Sequence, residues 1–159
     1  MRIGLGSDAH RFAEDAGRRL VLGGVEVPGH VGLEGHSDAD VVTHAVCDAV
    51  LGAAGLGDLG RHFPDDDPTT TGVSSLALLQ RCRELARDAG WAVGNADVTV
   101  TAERPRLAGH LEAMGSTLSE VLGGPVSVKA TTAEGLGAIG RGEGISAMAV
   151  VLLVDEAPT

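Results

Sequence analysis

Strand-like and helix-like stretches follow one another irregularly along this chain, and that order is the strongest limit on what it can become. Met1 to Leu5 reads as a strand. Arg18 to Leu22 and Val25 to Val27 read as short β segments joined at Gly23-Gly24, as in a hairpin. A helix is expected from about Asp40 to Ala54, capped by Ser37 or Asp38 and ended by Gly55. Val42, Val46, Ala49, Val50 and Ala53 give it an apolar stripe. A second helix is expected over about Val73 to Ala89, then a strand over Ala92 to Thr101. Pro105 reads as the first-turn proline of a third helix that Gly123-Gly124 stop. Val126 to Thr131 and about Ile145 to Val154 read as the last strands. Elements mixed in this way fit an α+β fold, a single domain over 1–159 with helices packed on one face of a mixed sheet.

The filling of such a domain is unusual. Two Phe, one Trp and no Tyr leave the core to Val, Leu and Ala, while 24 glycines permit close backbone approaches and sharp loops. A formal net charge of −10 argues against DNA, RNA or an anionic membrane as the main partner. Cys47 and Cys82 stand far apart, in no metal-binding spacing, and fit a reducing compartment. With no charged-then-apolar leader before the first strand and no run of membrane-spanning length, a soluble cytoplasmic protein is expected.

Asp8-Ala9-His10 ends the first apolar run. Residues two apart on a strand point to one side, so Asp8 and His10 aim at a common point, and His44 can supply a third ligand from a separate helix. Two imidazoles and a carboxylate suit zinc, and three protein ligands leave its fourth position open for substrate. Asp40, His44 and Asp48 are spaced by four, so they share a helix face. One of these carboxylates can orient the imidazole and the other touch substrate. By itself such a run reads first as a solvated polar face; the Asp8/His10 pair tips the balance towards metal. His36-Ser37-Asp38 precedes the same helix, where free N–H groups suit a phosphate, although alone it reads as an ordinary cap beside a surface histidine.

Phe63-Pro64-Asp65-Asp66-Asp67-Pro68 puts three carboxylates in a proline-bounded loop, either holding a hydroxylated substrate or merely solvated. Gly135-Leu136-Gly137-Ala138-Ile139-Gly140 matches the dinucleotide fingerprint, but that motif must open a helix in a βαβ unit, and residues 141–159 are mostly strand. What survives is a glycine-rich loop flanked by Lys129, Thr131, Thr132 and Arg141, a combination a phosphate needs, with Glu134 beside it for a magnesium ion. His30, His62 and His110 have no partner pattern, and none of Ser7, Ser37, Ser74 and Ser75 sits in a nucleophile elbow.

Taken together, the motifs G-x-D-x-H at 6–10, H-S-D-x-D at 36–40, H-A-x-x-D-A at 44–49, G-D-L-G at 57–60, F-P-D-x-D-P at 63–68 and V-K-A-T-T-x-E-x-L-G…G-R-G-E-G-I at 128–145 resemble the 2-C-methyl-D-erythritol 2,4-cyclodiphosphate synthase family. The resemblance runs from Met1 to the last strand. It implies a homotrimer with active sites between adjacent subunits, one zinc ion per site, and magnesium or manganese bridging a diphosphate. It implies that 4-diphosphocytidyl-2-C-methyl-D-erythritol 2-phosphate is converted to the cyclic diphosphate and CMP, a step of the non-mevalonate isoprenoid route. By motif, Asp8, His10 and His44 correspond to the zinc ligands, Glu134 to the ligand of the second metal, and His36 and Thr132 to the positions that steady the transition state. Ser37, Asp48, Asp58, Leu59, Gly60, Phe63, Asp65, Asp66 and Asp67 fall where the methylerythritol part is held. Ala102, Glu103, Arg104, Pro105 and Arg106, with Thr131, Thr132, Ala133, Glu134, Ala138 and Arg141, fall where a neighbouring subunit holds the cytidine diphosphate. Three positions depart from the family pattern: Arg106 stands where lysine is common, Ala138 where an aromatic is common, and Ser7 where a bulkier residue is common. Arg106 keeps the charge but meets a phosphate differently, and Ala138 removes surface beside the nucleotide.

The implied chemistry needs no covalent nucleophile. Divalent cations neutralise two anionic groups that must meet, and folding the substrate so its ends touch can lower the barrier by roughly 7–11 kcal/mol. The residues alone also admit a zinc phosphohydrolase or pyrophosphatase, and a non-catalytic metal- or nucleotide-binding trimer.

Overall fold

Two glycines in the first strand decide how the layers meet. The structure, a computed structural model, describes residues 1–35, 37–64 and 72–156. Strand β1 covers Arg2–Arg11 and faces helix α1, Val41–Ala54. A Cβ placed on Gly4 would lie 1.9 Å from the Ala49 carbonyl oxygen, and one on Gly6 would lie 2.0 Å from that of Ala45. Strand backbone therefore rests on helix backbone along Ala45, Ala49 and Ala53, a seam that only glycine against alanine permits.

β1 is longer than its apolar run. Beyond Leu5 the side chains turn polar, yet pairing with the last strand continues from Ser7 opposite Met148 to Arg11 opposite Gly144. The main sheet has the order β1-β6-β4-β5, where β4 is Trp91–Thr101, β5 is Val126–Thr131 and β6 is Gly144–Asp155. β6 pairs antiparallel with both neighbours and β4 pairs parallel with β5, so the sheet is mixed as expected. β2 (Arg19–Leu22) and β3 (Val25–Val31) form a separate antiparallel hairpin turning at Gly23-Gly24. Helix α1 packs on β1 and β6, α3 (Ser75–Asp88) on α1 and β4, and α4 (Leu111–Leu122) on β5. Two single turns, α2 (Leu59–His62) and α5 (Gly137–Gly140), complete the α+β domain. The other face of the sheet stays open, and on it Ile3 and Leu5 are 74% and 62% exposed, with Met148 and Val150 alongside on β6. Among the described residues no helix is long and apolar enough to cross a membrane.

Two expected helix starts are corrected. Asp40, not Ser37 or Asp38, caps α1, and it is fully buried. Its carboxylate accepts from Thr43 N–H at 3.0 Å, Thr43 hydroxyl at 2.6 Å, Gly23 N–H at 2.8 Å and Gly24 N–H at 2.7 Å. Burial pushes its pKa up while those four donors pull it down. Asp40 thus ties α1 to the hairpin turn and does not share a polar face with His44. Pro105 does not open the third helix. It is buried after a cis peptide bond from Arg104, and the chain makes a further turn, His110 N–H to Leu107 carbonyl at 2.8 Å, before α4 begins at Leu111. Pro105 lies in the bend that precedes this turn, where its fixed φ is as acceptable as in a first helical turn.

Candidate active site

Close seating of β1 on α1 brings three potential ligands together. Asp8 and His10 stand on the same side of β1, and His44 rises from the first turn of α1 beside them. One ligand atom from each lies within 4.8 Å of the other two. Asp8 Oδ2 is 2.9 Å from His10 Nε2 and 3.1 Å from His44 Nδ1, and the two rings sit 5.6 Å apart, tilted by 57°.

The outward-facing nitrogen of each imidazole is already committed. His10 Nδ1 donates to the Glu34 carbonyl at 2.7 Å. A carbonyl can only accept, so Nε2 is the atom left to face a metal. His44 Nε2 lies 2.9 Å from the Ser75 hydroxyl, leaving Nδ1 to point at Asp8. Burial opposes ionisation of Asp8, but hydrogen bonds and charge from His10 and His44 outweigh it and hold the carboxyl well below the ordinary range. The hydrogen bond to Asp8 in turn raises His10 above its usual value against a partial loss of solvation. Two nitrogens and one carboxylate, convergent and oriented from behind, are a donor set that fits a divalent metal such as zinc.

Further along α1, Asp48 is half-buried and accepts from Leu59 N–H at 2.7 Å, with its pKa raised mainly by burial. Asp58 caps α2 by accepting from Arg61 N–H at 2.9 Å. Leu59 and Phe63 pack partly against the core, and Gly60 is exposed between them. Asp48 therefore fixes the turn that carries Asp58 to Phe63 next to the metal-ligating face of α1. Ser37 offers its carbonyl to Arg18, and its hydroxyl accepts from Ala39 N–H at 3.3 Å. His36, Asp65, Asp66 and Asp67 lie outside the described residues.

The residues expected at the nucleotide gather around the loop after β5. Ala102 is buried and its N–H donates to the Thr131 carbonyl at 3.0 Å. Glu103 accepts from Ala133 N–H at 2.9 Å and Gly135 N–H at 3.3 Å, so its carboxylate shapes the loop from behind. Thr132 hydroxyl donates to Glu134 at 2.8 Å, and Glu134 adopts a left-handed φ of 51°. Arg104, Arg106, Thr131 and Ala138 are exposed, and Arg141 pairs with Glu143 at 2.6 Å. Gly137 begins the single turn α5, too short to be the helix a dinucleotide fold needs.

Strand register locates the two groups relative to each other. Ala9 pairs with Ser146, Ser146 with Thr101, and Thr101 with Thr131, so one row crosses all four strands. Both groups thus sit at the same end of the sheet, separated by three inter-strand spacings, about 14 Å. Sequence reasoning missed Ser75, Asp38 and the Glu34 carbonyl as partners of this site. Ser74 and Ser75 fall inside the expected second helix, where spacing carries no signal that either one meets His44.

A sequence model of the YgbB family matches residues 1–154. The chain is 62% identical over 155 residues to a bifunctional enzyme IspD/IspF from an Anaeromyxobacter species, a match covering 96% of this chain and 39% of that one. It therefore spans about two-fifths of the length of that relative. It is 55% identical over 159 residues to a 2-C-methyl-D-erythritol 2,4-cyclodiphosphate synthase from Desulfosudis oleivorans, covering 98% of this chain and 94% of the other. Among solved structures, a 2C-methyl-D-erythritol-2,4-cyclodiphosphate synthase in a CDP-bound form superposes with a TM-score of 0.87 at 39% identity, over 96% of this chain and all of that one (100%). The motif series, the fold and these matches agree: the chain belongs to the YgbB family, alongside proteins named 2-C-methyl-D-erythritol 2,4-cyclodiphosphate synthase.

Proposed function

We propose that the protein converts 4-diphosphocytidyl-2-C-methyl-D-erythritol 2-phosphate to 2-C-methyl-D-erythritol 2,4-cyclodiphosphate with release of CMP, as a phosphorus–oxygen lyase of the non-mevalonate isoprenoid route in the cytoplasm. The observation that carries this reading is the convergence of Asp8, His10 and His44, each imidazole oriented from behind, in a chain whose relatives bear that enzyme's name. Zinc held by these three, with magnesium or manganese at Glu134, would supply Lewis-acid neutralisation of the two anionic groups that must meet. The chain's own residues do the positioning. Asp48 holds the turn bearing Asp58, Leu59, Gly60 and Phe63, where the methylerythritol part would lie, with Ser37 and Asp65 to Asp67. Glu103 fixes the loop whose Thr131, Thr132 and Ala133 would meet the diphosphate. Arg104, Arg106 and Arg141 supply positive charge around the cytidine end, with Ala102, Pro105 and Ala138. His36 and Thr132 would hold the oxygens on which charge develops.

A separation of about 14 Å within one chain is too long for one phosphate to bridge. That distance supports a site completed by the Thr131–Arg141 loop of a second copy, and the open apolar face of β1 and β6 supports a homotrimer that supplies it. Phosphorus NMR on zinc-loaded protein with magnesium and the diphosphocytidyl substrate tests the reaction. Coupled cyclic-diphosphate resonances appearing with equimolar CMP are expected. Free phosphate, or label from oxygen-18 water in the product, would identify a hydrolase instead, and tight CDP binding without turnover would leave a binding protein.

A further inference from the structure

His44 is held from behind by a side chain, whereas His10 is held by main chain. Ser75, the first residue of α3, is fully buried and has its hydroxyl 2.9 Å from His44 Nε2. The same hydroxyl donates to Asp38 Oδ1, while Asp38 Oδ2 accepts from Ser75 N–H at 3.1 Å. A hydroxyl has one proton. With that proton given to a carboxylate, only a lone pair of Oγ faces His44, so the ring is held through Nε2–H on one side while Nδ1 faces Asp8 Oδ2 at 3.1 Å on the other.

We propose that Ser75, anchored by Asp38, is a positioning residue of the metal centre that holds the tilt of His44, so that Nδ1 faces the point shared with Asp8 and His10. The proposal rests on the reading of Asp8, His10 and His44 as metal ligands. A capping role alone does not account for the geometry. Ser74 already caps α3 by accepting from Ala77 N–H, and Asp38 could satisfy Ser75 N–H without any hydroxyl. A buried hydroxyl aimed at a ring nitrogen is surplus to that role, and removing a group that orients a metal-bound histidine commonly weakens metal affinity by roughly 10- to 100-fold. The arrangement also makes α3 a third element, after β1 and α1, with a hold on the site.

The test uses Ser75→Ala, which vacates the hydroxyl without adding bulk, and Asp38→Asn, which leaves the hydroxyl but removes the charge that claims its proton. Proton NMR of the zinc-loaded protein reads the His44 Nε2–H, which a bond to the buried Ser75 hydroxyl shelters from exchange with water. Zinc affinity is read by competition with a chromogenic chelator, and circular dichroism checks the fold. The unaltered protein is expected to show a slowly exchanging His44 Nε2–H, and both variants a faster one together with zinc binding weakened about tenfold or more. A folded Ser75→Ala protein whose Nε2–H exchanges as slowly as the original, with zinc binding within about twofold, overturns the proposal. If the unaltered, folded protein binds no zinc, the metal reading itself fails and takes the proposal with it.

Discussion

Gly6→Ala inside the β1–α1 seam and Gly52→Ala on the outer side of α1 make the same chemical change, and the structure predicts opposite signs. At Gly6 the new Cβ would meet Ala45 O at 2.0 Å and Ala49 N at 2.6 Å. Ordinary contact begins near 3.4 Å, so α1 must retreat by about 1.4 Å or β1 must bend. Overpacking of this kind costs about 1–3 kcal/mol, and backbone against backbone sits at the upper end because no rotamer can yield. At about 2–4 °C per kcal/mol for a domain of this size, Gly6→Ala should melt roughly 6–12 °C below the unaltered protein. Gly52 lies on the exposed side of α1, and a Cβ added there would meet nothing within 4 Å. There the alanine removes only a helix-propensity penalty, a gain of about 0.8–1 kcal/mol and a melting rise of roughly 2–4 °C. Differential scanning fluorimetry in the presence of chelator reads both, and a zinc titration on the folded Gly6→Ala protein should show weakened binding because His44 moves with the helix. If Gly6→Ala melts within about 1 °C of the unaltered protein, the seam is not close-packed and the reasoning fails.

Asp40→Asn replaces an acceptor of four hydrogen bonds with a group whose amide nitrogen must face N–H donors; a loss of about 2–4 kcal/mol in urea unfolding is expected, and a change below about 0.5 kcal/mol would contradict it. For pH, His10 is raised above its ordinary value, so its pairing with Asp8 stabilises the metal-free fold fully below about pH 6.5 and fades as pH climbs through the raised value. Asp8, held low, stays ionised across that window. Zinc needs Nε2 of His10 unprotonated, so calorimetry near pH 6.5 in buffers of differing ionisation enthalpy should report protons released on zinc binding, fewer as pH rises, and none released would refute the assignment. Leu5→Asp places charge on the exposed apolar sheet face; sedimentation should show the proposed trimer converted to monomer, and a trimer left unchanged would put the interface elsewhere.

The grouping of Asp8, His10 and His44 was legible because it is local. Asp8 and His10 share a side of β1 by strand periodicity alone, and His44 needed only a helix to present it. Asp40 misled for a physical reason. Spacing by four describes residues inside a helix, but a cap turns back onto the first N–H groups, and what buries Asp40 is the Gly23-Gly24 turn, distant in sequence. The extent of β1 was hidden because its second half is polar, while what defines it as strand is pairing with β6. Ser75 and Asp38 meet across 37 residues with no periodic signal to announce them. Pro105 was ambiguous in itself, since a fixed φ suits a turn as well as a helix start. The irregular order of elements did carry the mixed sheet and its one-sided helical layer.

The glycine–alanine seam also bears on which ions the chain can hold. Where side chains separate two elements, thermal rotamer changes let the gap breathe; here the gap is set by main-chain atoms in contact, so the aperture among Asp8, His10 and His44 inherits the stiffness of a strand and a helix. A stiff aperture favours an ion that fits it over one that must open it, as the six or more ligands and roughly 2.3–2.6 Å bonds of calcium would require. Gly4, Gly6, Ala45 and Ala49 thus set the gap between the strand and the helix that carry Asp8, His10 and His44, and none of them is a candidate ligand.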